Sequence, residues 1–198
     1  MKPFTDWQKS FIEHGELMTK RLKDIVQAAL GGSELAVEVK RHTYIYSPPG
    51  AGKTFTVASA AMAAGVTPLE IRGTASIPGF ARKLAYAVYK AQGKEIVVWV
   101  DDCDMLFTDE QSLNVMKGVL DEEVSVLSWN KNIAAQINRD VASSDPHTQE
   151  IGLAMKSFQE PGSPGVDIPT NNVRFIVTSN KDLCEPGMVG LPGKAVSK

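Results

Sequence analysis

Residues 43–64 constrain this chain more than any other stretch. A short β-type run, Thr43-Tyr44-Ile45-Tyr46, leads into Ser47-Pro48-Pro49-Gly50-Ala51-Gly52-Lys53-Thr54, and an alanine-rich helical pattern runs on from Lys53 to Ala64. The loop fits G-x-x-x-x-G-K-[ST], except that Ser47 stands where the first glycine would be. Gly50 and Gly52 lack a Cβ, so they can take positive φ and let an anion approach the backbone. A helix starting near Lys53 aims its positive end at the same place. An ordinary Gly/Pro turn would have the composition but not the strand before it and the helix behind it. The expected ligand is ATP with Mg²⁺, bound by residues 47–54 with Phe55 directly behind. Lys53 supplies a point charge to the phosphates and Thr54 Oγ ligates the metal.

The rest of the chain alternates in the same way. Leu69-Glu70-Ile71 predicts a second short strand and residues 79–92 a helix, with Phe80, Leu84, Ala87, Val88 and Ala91 on one face. Ile96-Val97-Val98-Trp99-Val100 is nearly continuous in apolar residues, as a central parallel strand covered on both faces must be. Residues 110–120 predict another helix, and Arg174–Thr178 another buried strand. Strands alternating with helices argue for an α/β domain with a mainly parallel sheet. Ahead of it, residues 5–30 read as an amphipathic helix stopped by Gly31-Gly32, which makes 1–32 an N-terminal appendage and 33–198 the core. Residues 121–172 are less regular. A helix around 130–141, the break Ser143-Ser144-Asp145-Pro146 and the loop Pro161–Gly165 mark this as an insertion.

Two strand ends carry further chemistry. The apolar run ends in Asp101-Asp102, where one carboxylate can hold Mg²⁺ through its water shell. The next points to the opposite side of the pleat and can polarise a water. Asp101 is assigned to the metal and Asp102 to the general base, with Asp104 a weaker candidate; an acidic loop cap is the plainer alternative. Asn180 follows Phe175–Thr178 by way of Ser179, and a neutral amide there can meet a terminal phosphate or position water without adding repulsion. All three motifs fall at C-terminal strand ends, where open α/β sheets bind ligands.

Pro48–Thr54, Val97–Asp102 and Phe175–Asn180, in this order, resemble the Walker A, Walker B and sensor 1 motifs of the AAA+ ATPases. Asp101–Asp104, Leu113–Leu120 and Ser128-Trp129 further resemble small AAA+ proteins of bacteriophages. The resemblance implies a P-loop NTPase three-layer sandwich with strand order 5-1-4-3-2. It also implies a homo-oligomeric, hexameric ring that remodels or loads a protein or nucleic-acid partner. Lys53, Asp102 and Asn180 are then the catalytic set. Three departures matter. Asp102 stands where most members carry glutamate. The long stretch from Asp101 to Asn180 supports the insertion. The chain ends soon after Asn180, with no arginine beyond Arg174, so strand 5, the lid and a finger arginine cannot be placed. The expectation is the ATPase core of a longer protein.

Other readings compete. A small-molecule kinase on this scaffold would need a lid arginine, for which Arg139 is the candidate. An ATP-dependent scaffold or switch with little hydrolysis fits the short Asp102 arm. Phe80, beside Ile77-Pro78-Gly79, is either a pore-loop residue or a core residue, and Trp129 reads as a buried structural residue, with a second pore loop or partner surface the alternative. A formal net charge of −2 gives no bulk case for a nucleic-acid binder. Cys103 and Cys184 make no disulfide framework and suit a reducing compartment. His14, His42 and His147 lack metal-ligand spacing. No apolar run reaches a membrane span, so the expected setting is the cytoplasm, or host cytoplasm for a viral protein.

Overall fold

The two apolar runs that read as buried strands become the two inner strands of one parallel sheet. The computed structural model describes Lys20, Asp24 and residues 42–73, 76–107, 110–129 and 133–181. In it β1 (Thr43–Tyr46), β6 (Val173–Ser179), β3 (Ile96–Asp101) and β2 (Leu69–Arg72) lie side by side in that order, all parallel. β3 and β6 are covered on both sides, which is why they alternate so little. Their register runs from Ile96 against Val173 to Asp101 against Thr178. This is the expected 1-4-3-2 arrangement, and among the described residues no fifth strand joins this sheet.

Helices cover both faces. α1 (Lys53–Ala63) follows β1 and packs Val57 and Ala60 against Ile45, Trp99 and Ile176. α2 (Ile77–Ala91) follows β2 and covers the opposite face, where Phe80 and Leu84 meet Val98, Val100 and Phe175. It begins two residues earlier than its apolar pattern suggests: Ser76 Oγ accepts from Gly79 N at 3.3 Å, and proline occupies the first turn. α3 (Glu110–Leu120) follows β3 after the short 3₁₀ turn Asp104–Phe107.

Residues 121–172 have more order than their sequence suggests. β4 (Val126–Trp129) pairs antiparallel with β5 (Val166–Pro169) as a separate ribbon. α4 (Ala134–Val141) and α5 (Pro146–Ser157) pack together, and Gly152 lets them approach, since a Cβ there would stand 2.5 Å from Val141 N. The Asp145-Pro146 break is a helix start: Asp145 Oδ2 accepts from Thr148 N at 2.8 Å. These layers join the core on the α2 side, where Leu127, Ile137, Met155 and Ile168 belong to the α2-face cluster. Arg82 of α2 pairs with buried Asp140 of α4 at 2.8 Å. The predicted helix over 5–30 and the 1–32 appendage lie outside the described residues, apart from Lys20 and Asp24, both helical and exposed. Cys184 and His14 lie outside them too.

Candidate nucleotide site

The strand ends of β1, β3 and β6 and the start of α1 converge on one polar edge. Gly50 and Gly52 have φ of 82° and 79°. A Cβ built at Gly52 meets no atom within 4 Å, so the left-handed backbone, rather than crowding, is what calls for glycine. No side chain caps α1, which leaves its first N–H groups to an anion. Ser47 Oγ is buried at the loop mouth with no hydrogen-bond partner. Pro48, Pro49 and Ala51 are exposed and shape the loop.

Lys53 is only 6% exposed, yet its ammonium is satisfied. It donates to Ser47 O at 2.7 Å, Pro48 O at 3.2 Å and Asn180 Oδ1 at 2.8 Å. An ammonium has three protons, and all three are used. Asn180 turns its other end to Asp102, with Nδ2 donating to Oδ1 at 2.9 Å. Carbonyl toward the cation and amide toward the carboxylate is the orientation that satisfies both neighbours. Lys53, Asn180 and Asp102, distant in sequence, thus form one chain of charge-assisted bonds.

Asp102 is exposed and takes φ 52°, a left-handed conformation uncommon outside glycine, asparagine and aspartate. Its N–H donates to Thr178 O at 3.1 Å, so β6 fixes the kink. That kink turns Asp102 away from Asp101, which is buried at 5% exposure. Asp101 accepts from Thr54 Oγ1 at 3.2 and 3.3 Å and from Thr178 Oγ1 at 2.5 Å. Trp99 Nε1 donates to Thr178 Oγ1 at 3.0 Å, which leaves the threonine proton for Asp101. Thr54 and Asp101 therefore present a hydroxyl and a carboxylate together, hard oxygen donors that fit Mg²⁺.

Sequence reasoning missed Thr178, Trp99 and Arg72 as neighbours of Asp101. Thr178 and Trp99 lie within or beside the quoted motifs, but their pairing depends on strand register. Arg72 ends β2, beside Asp101. Asp104 accepts from Ser179 Oγ at 2.6 Å and braces the turn that carries Asn180. Phe55 points outward from α1 at 76% exposure. Phe80 is fully buried, so of its two readings the core residue is the one found. Trp129 is buried as expected. Arg139 bonds within its own helix, to Ala135 O and Gln136 Oε1. A groove of about 740 Å³ between α3 and β4, bordered by Val115, Gly118, Val124 and Trp129, shares no residue with this site.

A family model for the ATPase family associated with various cellular activities (AAA) matches residues 43–188. The match spans most of the chain, and the chain belongs to that family. It is a nucleotide-binding ATPase core of mixed α/β fold. No curated protein matches the chain. Among the described residues, no helix is long and apolar enough to cross a membrane.

Proposed function

We propose that this chain binds ATP with Mg²⁺ on residues 47–54, hydrolyses it with Asp102 as general base, and acts as a homo-oligomeric ring that remodels or loads a protein or nucleic-acid partner. The observation that carries the reading is the Lys53–Asn180–Asp102 chain lying beside the Thr54–Asp101 pair. Thr54 and Asp101 would hold Mg²⁺, which when bound neutralises charge on the phosphate oxygens. Lys53 exchanges its loop carbonyls for phosphate oxygens, keeping its charge compensated throughout. Asn180 orients the Asp102 carboxylate, and Asp102 takes the proton of the attacking water.

The separation of Asp101 from Asp102 gives the test. Asp102→Asn should retain ATP and Mg²⁺ but lose hydrolysis by roughly a hundredfold or more. Asp101→Asn should instead lose the Mg²⁺ dependence of nucleotide binding. Exchanged phenotypes would mean that the two roles are exchanged.

The ring is proposed as a hexamer, on the strength of family membership. ATP-dependent growth in mass by light scattering is the expected result, and a monomer at every protein and nucleotide concentration contradicts it. The narrower likeness to bacteriophage members, and with it a host-cytoplasmic setting, rests on Asp101–Asp104, Leu113–Leu120 and Ser128-Trp129. A weakly hydrolysing switch is the second reading, favoured because Asp102 is held by Asn180, which is held in turn by Lys53. Steady-state turnover separates the two.

A further inference from the structure

The cation that faces Asp101 in this structure is an arginine. β2 pairs with β3 so that Arg72 stands beside Asp101 and Glu70 beside Trp99. Residues two apart on a strand share a face, so all four side chains lie on the α1 side of the sheet. Arg72 Nε is 3.6 Å from Asp101 Oδ2, and Arg72 Nη2 is 3.1 Å from Glu70 Oε2. The guanidinium carbon lies 4.8 Å from the centroid of the Trp99 ring. Arg72 is half exposed, whereas the Asp101 carboxylate is nearly buried.

The two carboxylate oxygens of Asp101 have different surroundings. Thr178 holds Oδ1 at 2.5 Å, Arg72 faces Oδ2, and Thr54 Oγ1 lies 3.3 and 3.2 Å from the two. A buried carboxylate needs a counter-charge, and among the described residues Arg72 is the ion-pair partner of Asp101. A metal ion drawn to this carboxylate meets a positive charge already in place. Glu70 offers that charge somewhere else to go.

We propose that Arg72 is a built-in competitor for the divalent cation. It neutralises Asp101 when no metal is bound and moves fully onto Glu70, across the Trp99 face, when Mg²⁺ arrives with nucleotide. Arg72 thereby sets the Mg²⁺ concentration at which the site closes on ATP. This rests on the reading of Thr54 and Asp101 as the Mg²⁺ site.

The test is binding of a fluorescent ATP analogue to the full chain during a Mg²⁺ titration, with Mn²⁺ electron paramagnetic resonance as a direct count of bound metal. Arg72→Met keeps the stem over Trp99 and removes the charge, so the half-saturating Mg²⁺ should fall by roughly three- to thirtyfold. Glu70→Gln removes the alternative partner, so the requirement should rise. A merely structural role for the pair would not move the two variants in opposite directions. An unchanged or higher requirement in Arg72→Met, or an unchanged or lower one in Glu70→Gln, overturns the proposal. Asp101→Asn tells this failure from that of the underlying site: if it keeps the full Mg²⁺ dependence, the Thr54–Asp101 assignment is what failed.

Discussion

On the α2 face of the sheet, Phe80, Leu84, Val98, Val100 and Phe175 are fully buried, and residues 121–172 add Leu127, Ile137, Met155 and Ile168 to the same cluster. On the α1 face the apolar cluster among the described residues is Ile45, Val57, Ala60, Trp99 and Ile176, while α1 leaves Phe55 and Met62 76% and 81% exposed. The two faces divide the work. The thick side supplies stability through apolar area. The α1 side ends in polar groups that satisfy one another and that, on the proposed function, exchange for a ligand. Loops and strand ends can carry such exchangeable bonds because the scaffold beneath them does not depend on them.

The division can be broken from either side. Lys53→Ala should abolish measurable nucleotide binding, since several charge-assisted bonds of about 1.5–3 kcal/mol each are lost at once. Its thermal unfolding should stay close to that of the parent. A folded variant with unchanged affinity would remove the loop from the site altogether. Phe80→Ala, on the other face, should cost about 3–5 kcal/mol in denaturant unfolding. A cost below about 1 kcal/mol would show that the α2 face is not the main source of stability.

A smaller effect tests residues 121–172. Asp145 caps α5, and its hydrogen bonds from Thr148 hold its carboxyl below the usual range. A lowered folded-state pKa contributes stability that is fully present above the unfolded value, about 3.9. That stability is lost as pH falls through the folded value. Asp145→Ala should therefore lower Tm slightly at neutral pH, and the gap should narrow below about pH 4. A gap that is independent of pH would assign the loss to something other than the charged cap.

Much of the site was legible because its parts are local in sequence. The glycines of the loop, the apolar run ending in Asp101-Asp102 and the polar end at Asn180 each announce themselves within a few residues. Residues 121–172 were harder to read. β4 and β5 are four residues each and pair with one another at long range, so neither shows a strong pattern alone. α5 was hidden by Asp145-Pro146, a pair that opens a turn as readily as it caps a helix. Ile77-Pro78-Gly79 misled in the same way, being the first turn of α2 rather than a loop.

The sequence by itself determined that the loop glycines can take positive φ and which strands must be buried, because both are properties of single residues and their near neighbours, whereas the left-handed turn at Asp102, read there as the next position of the pleat, was not legible. It thereby placed the glycine loop before α1, the inner strands and the two acidic positions at the end of β3. Only the tertiary structure decided which side chains share a bond. That Asn180 links Lys53 to Asp102, that Thr178 carries the Trp99 hydrogen bond on to Asp101, and that Arg72 faces the same carboxylate all follow from the register of β2, β3 and β6. Register is fixed by the fit of the whole sheet between its two layers of helices, and a shift of one residue would turn each of these groups to the other face.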